Sequence, residues 1–236
     1  MKPRPVPILR DHLLDPSGGL VYQLRAARHR HGLWAPFHAA VADWLADWQA
    51  VRNELVIVGP NAGHALPAGF LASFETVVAL EPDPLARWLL ARRPDARRLR
   101  FDTLDCLVSA NGLTELAGRY PQAAILFSNV LGQINAPAER WTRLLARHLS
   151  GHVWASFHDV ISTRSAPDQR EGCTVTVTES LEATLARFWK GREITVFDHE
   201  TFRLNDSGPF RYAPWQITGK RWHLVEWAEN RAQVQA

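Results

Sequence analysis

Short apolar runs alternate with amphipathic stretches along most of this chain, and the alternation predicts strands separated by helices. Leu55–Val58, Thr76–Leu80, Leu99–Phe101, Ala123–Ser128 and Val153–Phe157 read as five strands. They are short and nearly all apolar, as expected of strands covered on both faces in a parallel sheet. The segments Ala65–Ser73, Leu85–Arg93, Leu113–Arg119, Pro137–Ser150 and Leu181–Lys190 read as helices between or after them. Asp83-Pro84 starts the second of these, with Asp as cap and Pro in the first turn, and Gly151 and Gly191 stop the last two. Ahead of the first strand, residues 20–31 and 36–51 also read as helices. In the latter, Phe37, Val41, Trp44, Leu45 and Trp48 recur at helical spacing as one apolar stripe.

The pattern changes after Gly191. Ile194–Phe197, extending toward Leu204, and His223–Trp227 read as strands with a turn-rich connection and no helix between them. Without a crossover, such strands pair antiparallel if they are neighbours. The predicted fold class is α/β: a mostly parallel sheet closed by an antiparallel C-terminal hairpin, with helices on both faces. Residues 1–52 are expected to form an N-terminal helical cap and residues 53–236 the core, in one compact unit.

Chemistry concentrates where strands end. Glu54-Leu-Val-Ile-Val-Gly59-Pro-Asn-Ala-Gly63-His64 is an apolar run broken by a Gly-rich turn, and Val77-Val-Ala-Leu-Glu81-Pro-Asp is a second run ending in a carboxylate. Glycines let a backbone turn sharply and approach a ligand closely, and a helix after the turn would offer free N–H groups. A carboxylate about twenty residues past such a turn can accept both hydroxyls of a ribose. A nucleoside site is therefore expected at these strand ends.

With these motifs in place, the chain resembles the class I, Rossmann-like S-adenosylmethionine-dependent methyltransferases. The likeness covers residues ~20–228 as an architecture of cap, seven-stranded sheet and terminal hairpin, and its specific motifs lie within residues 54–134. It implies S-adenosylmethionine as cofactor and S-adenosylhomocysteine as product. By resemblance, Gly59, Pro60, Asn61, Ala62 and Gly63 would pack against the methionine part of the cofactor, with Glu81 and Pro82 at the ribose. Asp102, followed by Thr103 and Leu104, matches the segment near the adenine, with Asp105 as second choice. Asn129, Val130 and Leu131 match the segment beneath the cofactor and beside its methyl group. Two positions depart from the family: the middle glycine of the turn is Asn61, and the acidic residue usual two places before the first glycine is Ile57. Asn tolerates the left-handed backbone that the turn needs.

Methyl transfer is an in-line displacement that depends on positioning and on excluding water. A general base, where one is needed, should sit on a loop at a strand end. His158 and Asp159, directly after the fifth strand, meet that requirement, and Asn129 is placed to orient an acceptor. The acceptor pocket is expected between the cap, the loop after residue 157 and the terminal hairpin. His64 could meet the cofactor carboxylate, and Tyr22 and Gln133 are further candidate contacts. His38, His199 and His223 have no partner that the sequence supplies, and no ligand set of metal spacing is legible, so no metal is expected.

Composition alters this picture little. The 236 residues carry a formal charge of +3, and the two cysteines, Cys106 and Cys173, lie far apart, which fits a reduced, cytoplasmic protein. No apolar run reaches the ~20 residues of a membrane span. The clusters Arg25/Arg28/Arg30 and Arg92/Arg93/Arg97/Arg98/Arg100 raise nucleic acid as a less favoured partner, read against solvated helix faces. Of ten tryptophans, Trp34, Trp44, Trp48, Trp215, Trp222 and Trp227 lie toward the two ends of the chain; most should be core, and an exposed patch of them would favour a homodimer. The leading expectation is methyl transfer to a small or medium-sized acceptor, at an oxygen, nitrogen or sulfur. The alternatives are a methyltransferase-like binding module without catalysis, prompted by Asn61 and Ile57, and methylation of RNA or protein.

Overall fold

The computed structural model describes residues 19–48, 52–108, 111–133, 141–205 and 209–231. Five strands run parallel: β1 (Glu54–Val58), β2 (Thr76–Leu80), β3 (Leu99–Asp102), β4 (Ala124–Ser128) and β5 (Trp154–Thr163). Four more complete the sheet: β6 (Cys173–Val175), β7 (Val196–Asp198), β8 (Phe210–Thr218) and β9 (Arg221–Asn230). The order is β3-β2-β1-β4-β5-β9-β8-β6, with β7 also paired to β5. Strands β9, β8 and β6 join by antiparallel pairing. Strands β6 and β8 are additions to the expected seven.

Burial explains the apolar runs. Leu55, Ile57, Val77, Ala79, Ala124 and Leu126 enter one core layer, while Val56, Val58, Val78, Leu80, Ile125 and Phe127 enter another. Alternate residues of a strand point to opposite faces, so a sheet covered on both sides leaves no polar register. The first layer is covered by α1 (Gly19–His29), α2 (Ala35–Asp47) and α3 (Pro84–Leu90), and the second by α4 (Gly112–Arg119) and α5 (Trp141–Leu149). Helix α6 (Leu181–Trp189) packs Phe188 and Trp189 under β8 and β9. Asp83 caps α3 by accepting from Leu85 N, as the sequence predicts. None of the described helices is long and apolar enough to cross a membrane.

The tryptophans at the two ends of the chain meet. Phe37 stacks on Trp215 at 4.4 Å between centroids, Trp34 meets the same ring edge-on at 5.4 Å, and Trp44 reaches Trp227 at 6.3 Å. Trp34 Nε1 also donates to Ile217 O at 3.1 Å. These rings are buried, so they join the cap helices to the terminal hairpin as core.

Two expectations are corrected. Ala65–Ser73 forms no α-helix, only turns and a single 3₁₀ turn at Leu71–Ser73. Pro67 and Gly69 interrupt it, and the Arg93 guanidinium takes up the carbonyls of Gly63, Leu66 and Pro67 that a helix would have used. The terminal hairpin is built from β8 and β9, whereas the segment read at Ile194–Phe197 pairs with β5 instead. Pro214 conceals β8; β6 ends opposite Tyr212, so the β8 edge near the proline has no β6 partner. The helix expected over Pro137–Ser150 covers Trp141–Leu149, its start lying outside the described residues, as do residues 49–51 of the helix expected over 36–51.

A buried polar row fixes the segment after β7. On the face of the sheet away from the cap, Glu226 accepts from Arg203 N at 2.8 Å and Leu204 N at 3.1 Å. Beside it His158 Nε2 donates to Thr201 O at 3.2 Å, and the Ser156 hydroxyl donates to His158 Nδ1 at 3.1 Å. Tyr212 hydrogen-bonds the Glu226 carboxylate. Burial pushes Glu226 up to about 7, partly offset by these backbone donors. Because the folded-state value is raised, the stability this group contributes is full below the ordinary carboxylate range and is lost as pH rises from there through about 7. The Tyr212 hydroxyl supports the ionised form. Tyr212→Phe should therefore cost about 1–3 kcal/mol at pH 8 and distinctly less at pH 5. Urea denaturation at both pH values tests this; an equal loss at each would dissociate Tyr212 from the ionisation of Glu226.

Candidate functional site

At the tip of β1 the chain takes three left-handed positions within five residues: Gly59 at φ 64°, Asn61 at φ 52° and Gly63 at φ 71°. Asn61 thus keeps the turn that a glycine would have made. A Cβ on Gly59 would lie 2.9 Å from Val130 Cβ, so the turn after β1 and the segment after β4 approach too closely for a side chain between them. Glu81, at the tip of β2 and only 4% exposed, accepts from Asn61 N at 2.7 Å and from Asp83 N at 2.9 Å. One carboxylate thus couples the two strand ends singled out in the sequence. Burial pushes it up to about 7, opposed by the two backbone N–H donors.

The cap lies across this turn. Gln23 of α1 donates to Asn61 Oδ1 and meets His64 Nε2 at 2.8 Å, while Gly19 N donates to Asp83 Oδ2 at 2.9 Å. Other N–H groups of the turn are satisfied internally, Ala62 N by Asn61 Oδ1 and Gly63 N by Pro60 O. No helix N-terminus follows to present free donors, contrary to expectation. Beyond Gly63, Arg30, His31, His38, His64, Arg92 and Arg93 line a cleft of about 360 Å³, where the two arginine clusters converge. Burial drives His38 and His64 down to about 4, so both rings are neutral near pH 7.

At the tip of β4, Asn129 adopts a left-handed φ of 51°. Its Oδ1 accepts from Asp159 N at 3.0 Å and its Nδ2 donates to Asp159 Oδ2 at 3.3 Å. Asp159 is 1% exposed, and its carboxylate lies 2.9 Å from His223 Nδ1. Burial raises this carboxyl, but His223, His199 and Asn129 outweigh it and hold it below the usual carboxylate range. Burial, then the charges of Asp159 and Glu81, push the Tyr22 hydroxyl of α1 well up.

The candidate residues therefore divide. Gly59–Gly63, Glu81 with Pro82, and Asn129–Leu131 gather at the ends of β1, β2 and β4, with Asp159 beside them; Asp159 lies within β5, which runs to Thr163, and not on a loop after the strand as expected. The adenine candidates stand otherwise committed. Asp102 pairs with Arg119 at 2.7 Å and with the Tyr120 hydroxyl, and accepts from Thr103 N at 2.6 Å. Thr103 is exposed and Leu104 is buried in the α4/α5 core layer, while Asp105 closes a turn onto Leu107 N and Val108 N. His158 stands apart from these residues. It is fully buried on the face opposite Asp159, both ring nitrogens have partners, and burial drives it down to about 4. Histidines 199 and 223, which the sequence left without partners, instead converge on Asp159. Nothing in their spacing signals this, because it depends on β7 and β9 pairing with the two edges of β5.

No protein-family model matches the sequence, and no curated protein matches it. Solved structures do match at low identity. DhpI in complex with S-adenosylhomocysteine is 14% identical over 87% of this chain and 92% of that one, with a TM-score of 0.42. The N-methyltransferase NodS from Bradyrhizobium japonicum WM9, in complex with the same molecule, is 12% identical over 84% and 87%, with a TM-score of 0.46. The N-terminal domain of EvdMO1, again with S-adenosylhomocysteine bound, is 13% identical over 82% and 81%, also at 0.46. The topology itself identifies the fold: five parallel strands ordered β3-β2-β1-β4-β5, then the reversed pair β9 and β8. The chain has the fold of the class I, Rossmann-like S-adenosylmethionine-dependent methyltransferases.

Proposed function

We propose that this protein binds S-adenosylmethionine across the ends of β1, β2 and β4 and transfers its methyl group to a small or medium-sized acceptor. The observation that carries this reading is the bond from Asn61 N to Glu81, which ties the Gly-rich turn to the acidic residue at the next strand end. The residues fit the cofactor. Each carboxylate oxygen of Glu81 accepts one backbone N–H and keeps a second acceptor site, enough together for the two hydroxyls of a ribose. Gly59 leaves bare backbone against Val130 where the methionine part would pass.

When bound, the cofactor supplies an electrophilic methyl group. The chain supplies placement and the exclusion of water. Asn129 and Asp159, locked together by two hydrogen bonds, form the polar end at which an acceptor would be oriented. Tyr22 stands near both carboxylates and packs on Trp34 at 5.5 Å, giving that end an apolar wall. Such a lining suits a compact acceptor better than a polynucleotide. A non-catalytic binding module would share the fold and would be told apart by failure to bind the cofactor.

Calorimetric titration with S-adenosylmethionine and S-adenosylhomocysteine is expected to give micromolar binding, weakened at least tenfold in Glu81→Ala. No binding in well-folded protein would overturn the proposal. Binding should also depend on pH. The ionised Glu81 carboxylate accepts ribose hydroxyls better than its protonated form, and burial pushes this group up to about 7. Affinity should therefore rise roughly tenfold between pH 6 and pH 8, and Glu81→Gln should flatten the profile. Gly59→Ala would set a methyl group 2.9 Å from Val130 at a left-handed φ. It should weaken cofactor binding about tenfold or more; affinity equal to wild type would remove the turn from the site.

A further inference from the structure

We propose that Asp159, His199 and His223 form a binding site for a divalent transition-metal ion of the zinc type, at the acceptor end of the strand tips. One ligand atom from each residue lies within 4.8 Å of the others. A carboxylate and two imidazoles are the donor set of many three-ligand zinc and iron sites, which keep further positions open for water or substrate. Bound at ~2.1 Å, such donors stand about 3.0–3.4 Å apart, so the cluster needs only a small contraction of side chains.

The surroundings of these side chains suit a cation. Asp159 Oδ1, His199 Nε2 and His223 Nε2 are buried without a hydrogen bond, and His223 Nδ1 faces only the Asp159 carboxylate, at 2.9 Å. Asp159 is 1% and His223 8% exposed, so these polar atoms are held away from bulk solvent. Unpaired buried polar atoms are costly, and several converging on one point call for a common partner. By contrast, His158 next door is fully hydrogen-bonded.

The surroundings are those of a metal ligand set. His199 Nδ1 donates to Gly132 O at 2.6 Å, which fixes the tautomer and leaves the Nε2 lone pair facing the cluster. Asn129 holds Asp159 from two directions, and Thr201 Oγ1 donates to Asp159 O at 2.6 Å. A Cβ on Gly132 would come 2.5 Å from Asp159 O, so the glycine admits the approach that sets His199. All three ligands stand on or directly beside strands β5, β7 and β9, a rigid mount. Two neutral imidazoles and one carboxylate leave a divalent ion with a net charge of +1. That favours an acceptor presenting oxygen, such as a hydroxyl or phenol, whose proton a bound cation makes easier to lose. This last assignment rests on the methyl-transfer reading; the metal site does not.

The test is metal binding to the full chain with Zn²⁺ and with Co²⁺ alone, without cofactor. Equilibrium dialysis with metal analysis should give one equivalent in the wild type. Co²⁺ should add visible bands characteristic of nitrogen and oxygen ligands. His199→Ala, His223→Ala and the shape-preserving Asp159→Asn should each lower affinity tenfold or more, with thermal melting confirming that they fold. His148→Ala, which removes a ring outside the cluster, should leave binding unchanged. No bound metal, or binding that survives all three substitutions, overturns the site. Cofactor binding measured in parallel separates the two proposals: metal binding without cofactor binding removes the acceptor assignment and leaves the site standing.

Discussion

The pairing of β5 is the constraint on which the rest of the molecule depends. Its ten residues are buried throughout, and both edges are used. One edge carries parallel β4 over Trp154–Phe157 and then antiparallel β7 over Ile161–Thr163, while the other carries antiparallel β9 along almost its whole length. Strand direction reverses here, and the register shifts between Asp159 and Ile161. That shift inserts Val160 and sets Ser162, not Ile161, opposite His223. Bulges bend a strand and re-aim side chains, and they recur beside functional sites. Here the consequence is local: Asn129 from β4, His199 after β7 and His223 on β9 all arrive at Asp159.

Two polar rows lie back to back on this strand, and they differ in how completely they are satisfied. His158, Glu226, Tyr212 and Thr201 form a row in which the described donors and acceptors largely meet. It holds residues 200–204 in place despite left-handed backbone at Glu200 and Arg203. One residue along, Asp159 and His223 are buried and His199 partly so, yet Asp159 Oδ1, His199 Nε2 and His223 Nε2 lack hydrogen-bond partners. A satisfied row of this kind specifies structure, whereas an unsatisfied one marks a place where something else binds. Neighbours in sequence thus serve opposite ends because strand residues alternate faces.

How much was legible in the sequence follows from the range of each interaction. Strands β1 to β5 were readable because their two-sided burial leaves continuous apolar runs, and α3 because Asp83-Pro84 is a local signal. The turn at Gly59–Gly63 and the carboxylate at Glu81 were readable as strand ends. The absence of a helix at Ala65–Ser73 was not, because a guanidinium from Arg93 completes the carbonyls of that segment from outside it. Strand β8 was hidden by Pro214, which its sheet tolerates where β6 no longer reaches. His158 and Asp159 read as lying directly after a strand ending at Phe157, whereas β5 runs on to Thr163 and holds both within it, on opposite faces. His199 and His223 were visible as residues and invisible as partners, since a bulge and two long-range pairings bring them together.

The cap and the cofactor end of the site are mechanically one unit. Gln23 holds both Asn61 and His64, and Gly19 N holds Asp83, the cap of α3. Glu81 beneath them is nearly sealed from solvent. Under the proposed function, a ribose reaching this carboxylate would exchange contacts with α1 or displace it, and its two hydroxyls would offset, by hydrogen bonds to the charged form, the desolvation that raises the pKa of Glu81. Tyr22 on the same helix feels the charges of both Glu81 and Asp159. On that reading a shift of α1 that admits a nucleoside also alters the surroundings of Asp159, which would couple binding at the two places through a single helix.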